Sequence, residues 1–166
     1  MKTTFTKHED KKQLHVEREF DAPVNLVWRA WTEPELLDQW WAPKPWKAET
    51  KSMDFREGGV WLYIMNGPEG EKQFCKAKYS NITVKSNYKA TDAFCDEEGN
   101  ENSDIPSMSW DVNFIEEQGK TVVNIFITYP SNEAMQEIIK MGFKEGFAMA
   151  HNNLDELLQT LQSEVS

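Results

Sequence analysis

Residues Pro130 to Leu161 read PSNEAMQEIIKMGFKEGFAMAHNNLDELLQTL. Apolar or small residues recur at Met135, Ile138, Ile139, Gly142, Phe143, Gly146, Phe147, Ala150, Leu154, Leu157, Leu158 and Leu161. The steps alternate between three and four, which predicts one helix with a single buried face. Ser131 is its expected N-cap, and Glu133 and Glu137 place negative charge near the positive end of the helix dipole. Uninterrupted, such a helix would run about 45 Å at 1.5 Å per residue.

Gly142 and Gly146 stand one turn apart on the apolar face. Each costs a helix interior about 1 kcal/mol relative to alanine, so each needs a reason. Close packing on a sheet is the ordinary reason. A ligand or a kink would also serve.

The aromatic inventory is large, with seven Trp, nine Phe and four Tyr in 166 residues. A chain of that length makes one domain with room for a core or a core with a cavity. The formal net charge of −10 argues against nucleic acid and against anionic membrane surfaces as partners, because both need clustered Lys and Arg. Cys75 and Cys95 are too few for a disulfide scaffold and lack the CxxC spacing of zinc or redox sites. Free thiols in a reducing cytoplasm are expected. The opening MKTTFTKHEDKKQ has no apolar signal-peptide core, and no apolar run reaches membrane-spanning length.

Working outward, residues 1–11 form a loose polar arm, and 12–162 form the domain. Leu14, Val16, Arg18 and Phe20 alternate with polar residues as a strand, with Arg18 on the apolar face. Pro23 then opens a helix capped by Asp21 or Ala22, with Val24, Val27, Trp28 and Trp31 at helical spacing. Thr32-Glu33-Pro34-Glu35 restarts a second short helix with Thr32 as N-cap and Glu35 at the capping-box position. Six strands follow: Trp46–Phe55, Val60–Met65, Lys72–Val84, Tyr88–Cys95, Met108–Phe114 and Val122–Tyr129. An acidic loop, Asp96–Ile105, separates the fourth of these from the fifth. Antiparallel strands bracketed by helices make an α+β layout. Such a sheet twists and curls, and the long helix can lie in the curl.

FDAP (Phe20–Pro23), VWRAWTEPELLDQWWAP (Val27–Pro43), DFREGG (Asp54–Gly59), FCDEEGN (Phe94–Asn100) and GFKEGFAMAHNNLDELL (Gly142–Leu158) resemble the activator of heat-shock protein 90 ATPase homologue-type domain. That domain belongs to the START-like, or SRPBCC, superfamily. The resemblance spans residues 14 to 161. It implies a helix-grip fold, with a curved antiparallel sheet of about seven strands wrapped around the C-terminal helix and an apolar cavity between them. The chain is similar to stand-alone bacterial versions, without the chaperone-binding domain of the eukaryotic co-chaperone.

Chemistry-bearing residues are sparse. His8, His15 and His151 share no metal-ligand spacing, and there is no nucleophile elbow or phosphate loop. No metal and no cofactor is expected. Arg18 and Asp92 are charges on apolar strand faces, either paired structurally or acting as polar anchors of a pocket. Desolvated, Asp92 would be the candidate general acid or base, and Arg18 is the other candidate site residue. The expected cavity lining is Trp28, Trp40, Trp61, Tyr63, Phe74, Tyr88, Phe94, Trp110, Phe114, Phe126, Ile139, Phe143 and Phe147. The leading expectation is a binding module for an apolar or amphipathic small molecule. A co-chaperone acting on a heat-shock ATPase comes second, and a cyclase- or dehydratase-like enzyme third. Monomer and homodimer both fit the sequence.

Overall fold

The computed structural model describes residues 2–102, 104–105 and 107–165. Met1 of the expected arm and Ser103 of the expected acidic loop lie outside the described residues. The fold is built on one antiparallel sheet. Its strands are β1 (Thr4–His8), β2 (Gln13–Phe20), β3 (Lys47–Met53), β4 (Val60–Asn66), β5 (Lys72–Thr83), β6 (Asn87–Cys95), β7 (Met108–Glu117) and β8 (Lys120–Thr128). They lie in the order β1-β2-β8-β7-β6-β5-β4-β3. The sheet therefore has eight strands, where about seven were expected. The addition is β1, which falls in the segment expected to be loose. It pairs with β2 from Thr4↔Glu17 to His8↔Gln13, and Phe5 opposite Val16 packs against the core. The Phe5–Val16 pair adds side-chain packing to the backbone ladder that docks this otherwise polar segment.

The inner face follows strand alternation. Val123, Ile125 and Ile127 of β8 are fully buried. Phe126 therefore points to the other face, stacked on His15 at 4.5 Å. In β5, Cys75, Ala77 and Tyr79 point inward, which sends Phe74 outward beneath Lys51. Both phenylalanines were expected on the cavity side; the two-residue period excludes them.

Between β2 and β3 lie α1 (Val24–Thr32) and α2 (Pro34–Trp40). Neither begins with the expected cap. The Val24 N–H donates to Glu116 Oε1 at 2.8 Å, so α1 is closed by a distant carboxylate. Thr32 belongs to α1, where its hydroxyl donates to the Trp28 carbonyl at 2.7 Å. Pro34 forces the preceding Glu33 out of helical geometry, to φ −102° and ψ 127°, and that residue is the break.

The C-terminal stretch is two helices, α3 (Asn132–Lys140) and α4 (Phe143–Val165). Ser131 caps α3 as expected, accepting from the Ala134 N–H at 3.0 Å. Gly142 ends the helical path with φ at +94°. It donates to Ile139 O at 3.0 Å and accepts from the Gly146 N–H at 2.9 Å, so it terminates one helix and opens the next. Glycine adopts this left-handed conformation without a Cβ penalty. Beyond the break, Phe147, Ala150, Leu154 and Leu158 bury the inner face of α4. Phe147 meets Trp31 at 6.5 Å, and Asn153 donates to the Ala42 carbonyl at 3.1 Å. Among the described residues no helix is long and apolar enough to cross a membrane.

Candidate functional site

A cavity of about 340 Å³ lies where the sheet, the loop after α2 and the α3–α4 break meet. Each wall has a local cause. On the sheet, Tyr63, Cys75 and Phe94 face one another across β4, β5 and β6 in a single inward row, with Asp92 opposite Met108 in the next. Trp110, two residues along β7 from Met108, shares their face. Trp41, Pro43 and Trp46 come from the chain leaving α2, and the Trp41 Nε1–H donates to the Tyr63 hydroxyl at 3.1 Å. The helical side is Ile138, Met141, Gly142, Phe143, Gly146 and Phe147.

The two glycines have different reasons. A Cβ at Gly146 would meet Pro43 Cγ at 3.5 Å, an ordinary contact with the loop after α2. At Gly142 a Cβ would meet nothing within 4 Å, and its φ is the reason it is there. Neither is held against the sheet.

Asp92 is the polar feature of this space. The residue is half-buried, yet its Oδ1 is sealed from solvent and has no hydrogen-bond partner. Burial pushes its carboxyl from 3.8 up to about 7, against the Ala93 backbone N–H, which favours the anion. The surrounding acids respond in the same direction. Burial, then the Asp92 charge, raise the Cys75 thiol and the Tyr63 and Tyr88 hydroxyls well above their ordinary values. Cys75 is thus a neutral thiol near pH 7 and a poor nucleophile. Asp92 alone among the cavity's acids titrates near neutrality, and it can hold a proton or a charge there.

Of the expected lining, Tyr63, Phe94, Trp110, Phe143 and Phe147 line the cavity, together with Asp92. Trp61 and Tyr88 border a small adjoining void of about 20 Å³. Trp28 and Phe114 pack edge to face at 5.1 Å in the core, and Trp40 is fully buried with its Nε1–H donated to Ala30 O. Ile139 packs against the core, and Phe74 and Phe126 lie on the outer face.

Arg18 is not part of this site. Its buried guanidinium donates to Thr3 Oγ1 at 3.0 Å and Asn152 Oδ1 at 3.1 Å, and pairs with Asp155 of α4. His151 lies beside this network, fully buried, with Nδ1 2.9 Å from Thr3 Oγ1. Burial, then the Arg18 charge, hold it neutral, with its pKa lowered to about 3. Among the described residues no His, Cys, Asp and Glu cluster could hold a metal.

Residues missed from sequence include Trp41, Met108 and Cys75. Alternation already carried the signal for the last two: Met108 shares the Trp110 face, and Cys75 follows once Phe74 is set outward. Trp41 gave no such signal, because it follows the last residue of a helix.

Residues 21–159 match the family model described as Activator of Hsp90 ATPase homolog 1-like protein. Among curated proteins nothing matches the chain. A Mycobacterium smegmatis protein of known crystal structure is 33% identical, with 94% of this chain and 96% of that one covered and a TM-score of 0.86. An Arthrobacter aurescens protein solved by NMR is 29% identical over 95% of this chain and 91% of its own, with a TM-score of 0.89. A Nitrosomonas europaea protein is 29% identical over 94% and 99%, with a TM-score of 0.82. The eight-stranded sheet around a long C-terminal helix is the START-like helix-grip fold, and the chain belongs to the Activator of Hsp90 ATPase homolog 1-like family.

Proposed function

We propose that this protein binds a small apolar or amphipathic molecule in the cavity between the sheet and α4. The observation that carries this reading is the cavity itself, about 340 Å³ and walled by Trp41, Tyr63, Trp110, Phe143 and Phe147. Small-molecule sites are typically concave spaces of about 300–1,000 Å³, mostly apolar, with a few placed polar groups. Asp92 is that polar group here. With Cys75 held as a neutral thiol and Arg18 bound into a separate network, the geometry supports holding a molecule better than turning one over. The working compartment is a reducing cytoplasm, in which Cys75 and Cys95 remain free thiols.

The test is a tryptophan-fluorescence titration with 2-naphthol, run on the wild type and on Gly146→Leu. Leucine at this position fills the space beside Pro43 and Phe147. Saturable quenching in the wild type and its loss in a folded Gly146→Leu variant are expected. Equal quenching in both overturns the reading. So does a co-chaperone outcome, in which the protein raises the turnover of a heat-shock ATPase and 2-naphthol does not bind.

A further inference from the structure

We infer that the cavity selects an organic cation, a protonated or quaternary amine on an apolar body, with Asp92 as its counter-ion and the surrounding rings as its cage. This rests on the reading of the cavity as a small-molecule site. Among the described residues that line it, Asp92 is the sole charged side chain. The acids whose ionisation its charge opposes are Tyr63 of β4, Cys75 and Tyr79 of β5, Tyr88 and Cys95 of β6 and Tyr129 beyond β8, all of them raised above their ordinary values and so neutral near pH 7. The helical and loop walls, from Trp41 and Trp46 to Ile138 and Phe143, carry no charge. No Lys or Arg of the described lining neutralises it.

A buried carboxylate without a countercharge is unfavourable, and whatever enters the space is selected by how it answers that charge. The adjoining void of about 20 Å³ has room for one water, which would offer a hydrogen bond without a countercharge. A hydroxyl on a ligand would do the same. A cation answers both needs. It also gains from ring faces, which attract a cation within about 6 Å of the centroid. Trp110 packs edge to face on Phe147 with centroids 5.5 Å apart and tilted on Trp41 at 5.9 Å, so these rings form one continuous aromatic wall of the cavity that Asp92 also lines. The volume equals about eleven waters of bulk liquid, which suits an arylalkylamine of similar heavy-atom count. The formal charge of −10 favours the approach of cations and repels anions.

The test is calorimetric titration with 3-phenylpropylamine, 3-phenylpropan-1-ol and 3-phenylpropanoate, which share a body and differ in charge. At about pH 8 the amine is expected to bind at least about tenfold tighter than the alcohol, and the carboxylate weakest. Below about pH 7 the amine's affinity falls by about tenfold per pH unit while the alcohol's does not, because the amine then competes with a proton on Asp92. Asp92→Asn brings amine and alcohol within about twofold of each other. The pH series on the wild type tests the same point without a substitution. Equal binding of amine and alcohol, or a pH-independent amine affinity, overturns the cation reading and leaves the cavity as an apolar site. Failure of all three probes to bind overturns both readings together.

Discussion

Replacing either mid-stretch glycine by alanine is the same chemical change, and the structure gives it opposite signs. Gly146 lies in α4 and donates its N–H to the O of Gly142 just before that helix, and a Cβ there meets Pro43 Cγ at 3.5 Å, ordinary van der Waals contact. Gly146→Ala therefore gains the helix-propensity difference of about 1 kcal/mol and adds a methyl contact without displacing anything. In a protein of this size that is a rise of about 2–4 °C in Tm. At Gly142 the space is open, but φ is +94°. Alanine in that region costs about 1–2 kcal/mol, so Gly142→Ala lowers Tm by a similar number of degrees. Urea unfolding followed by far-UV circular dichroism, with m unchanged, separates the two by about 2–3 kcal/mol. A single unbroken helix would instead make both substitutions stabilising. That result, or a destabilising Gly146→Ala, refutes the conformational role of Gly142 and the tolerated contact at Gly146.

The remaining expectations concern buried charge. The folded-state pKa of Asp92 is raised from 3.8 to about 7, so the folded protein binds the extra proton and loses stability as pH rises between those values, by up to about 4 kcal/mol. Asp92→Asn removes that dependence, so its stability advantage over the wild type grows from about pH 4 to about pH 7 and then levels; a constant difference across urea titrations in that range contradicts it. His151 titrates in the opposite sense. Its folded pKa is lowered to about 3, so stability falls on acidification from about pH 6.5 towards 3, and its ring resonances by NMR should stay those of a neutral imidazole down to about pH 4. Across the Arg18–Asp155 pair, Asp155→Ala strands a guanidinium whose side chain is 2% exposed and costs about 3–5 kcal/mol, whereas Arg18→Met leaves a carboxylate that is 28% exposed and costs less. Equal losses for the two variants in urea unfolding would show that the pair is not buried asymmetrically.

The sheet was legible because period-two alternation is a direct consequence of pleat geometry. Met108, Trp110, Val112 and Phe114 read inward from sequence and are buried in the structure. The same rule misassigned Phe126 and Phe74 because apolar residues on both faces of β8 and β5 leave the phase open. Only the partner strand, with Val123 opposite Phe114 and Ile125 opposite Val112, fixes it. The N-terminal strand was illegible for a related reason. Thr4–His8 has one aromatic and no alternation, and it becomes a strand through pairing with β2, a long-range fact. Arg18 and Asp92 looked alike as charges on apolar faces. Their fates differ because Asp155, far along the chain, forms an ion pair with the first, whereas among the described residues no cation pairs with the second and its Oδ1 has no hydrogen-bond partner.

The cavity follows from the break that the helical periodicity concealed. The spacing of apolar residues runs through Gly142 without a gap, since Ile138, Ile139, Phe143 and Phe147 fit one face of a continuous helix. A continuous helix would have carried Ile138 and Met141 onward along the axis of α4. With Gly142 at positive φ the path turns, and Ile138 and Met141 return to the space that Phe143 and Phe147 already line. Ala134, Met135 and Ile138 bury the inner side of α3, while Met141, 63% exposed, stands at the cavity's edge. The roof of the site is thus made by two helical faces meeting at a break, which is why a glycine at φ +94° stands there and an alanine, though it would find open space, would be strained. Periodicity reports which residues share a face. It does not report whether the face is straight, and in this fold the bend makes the site.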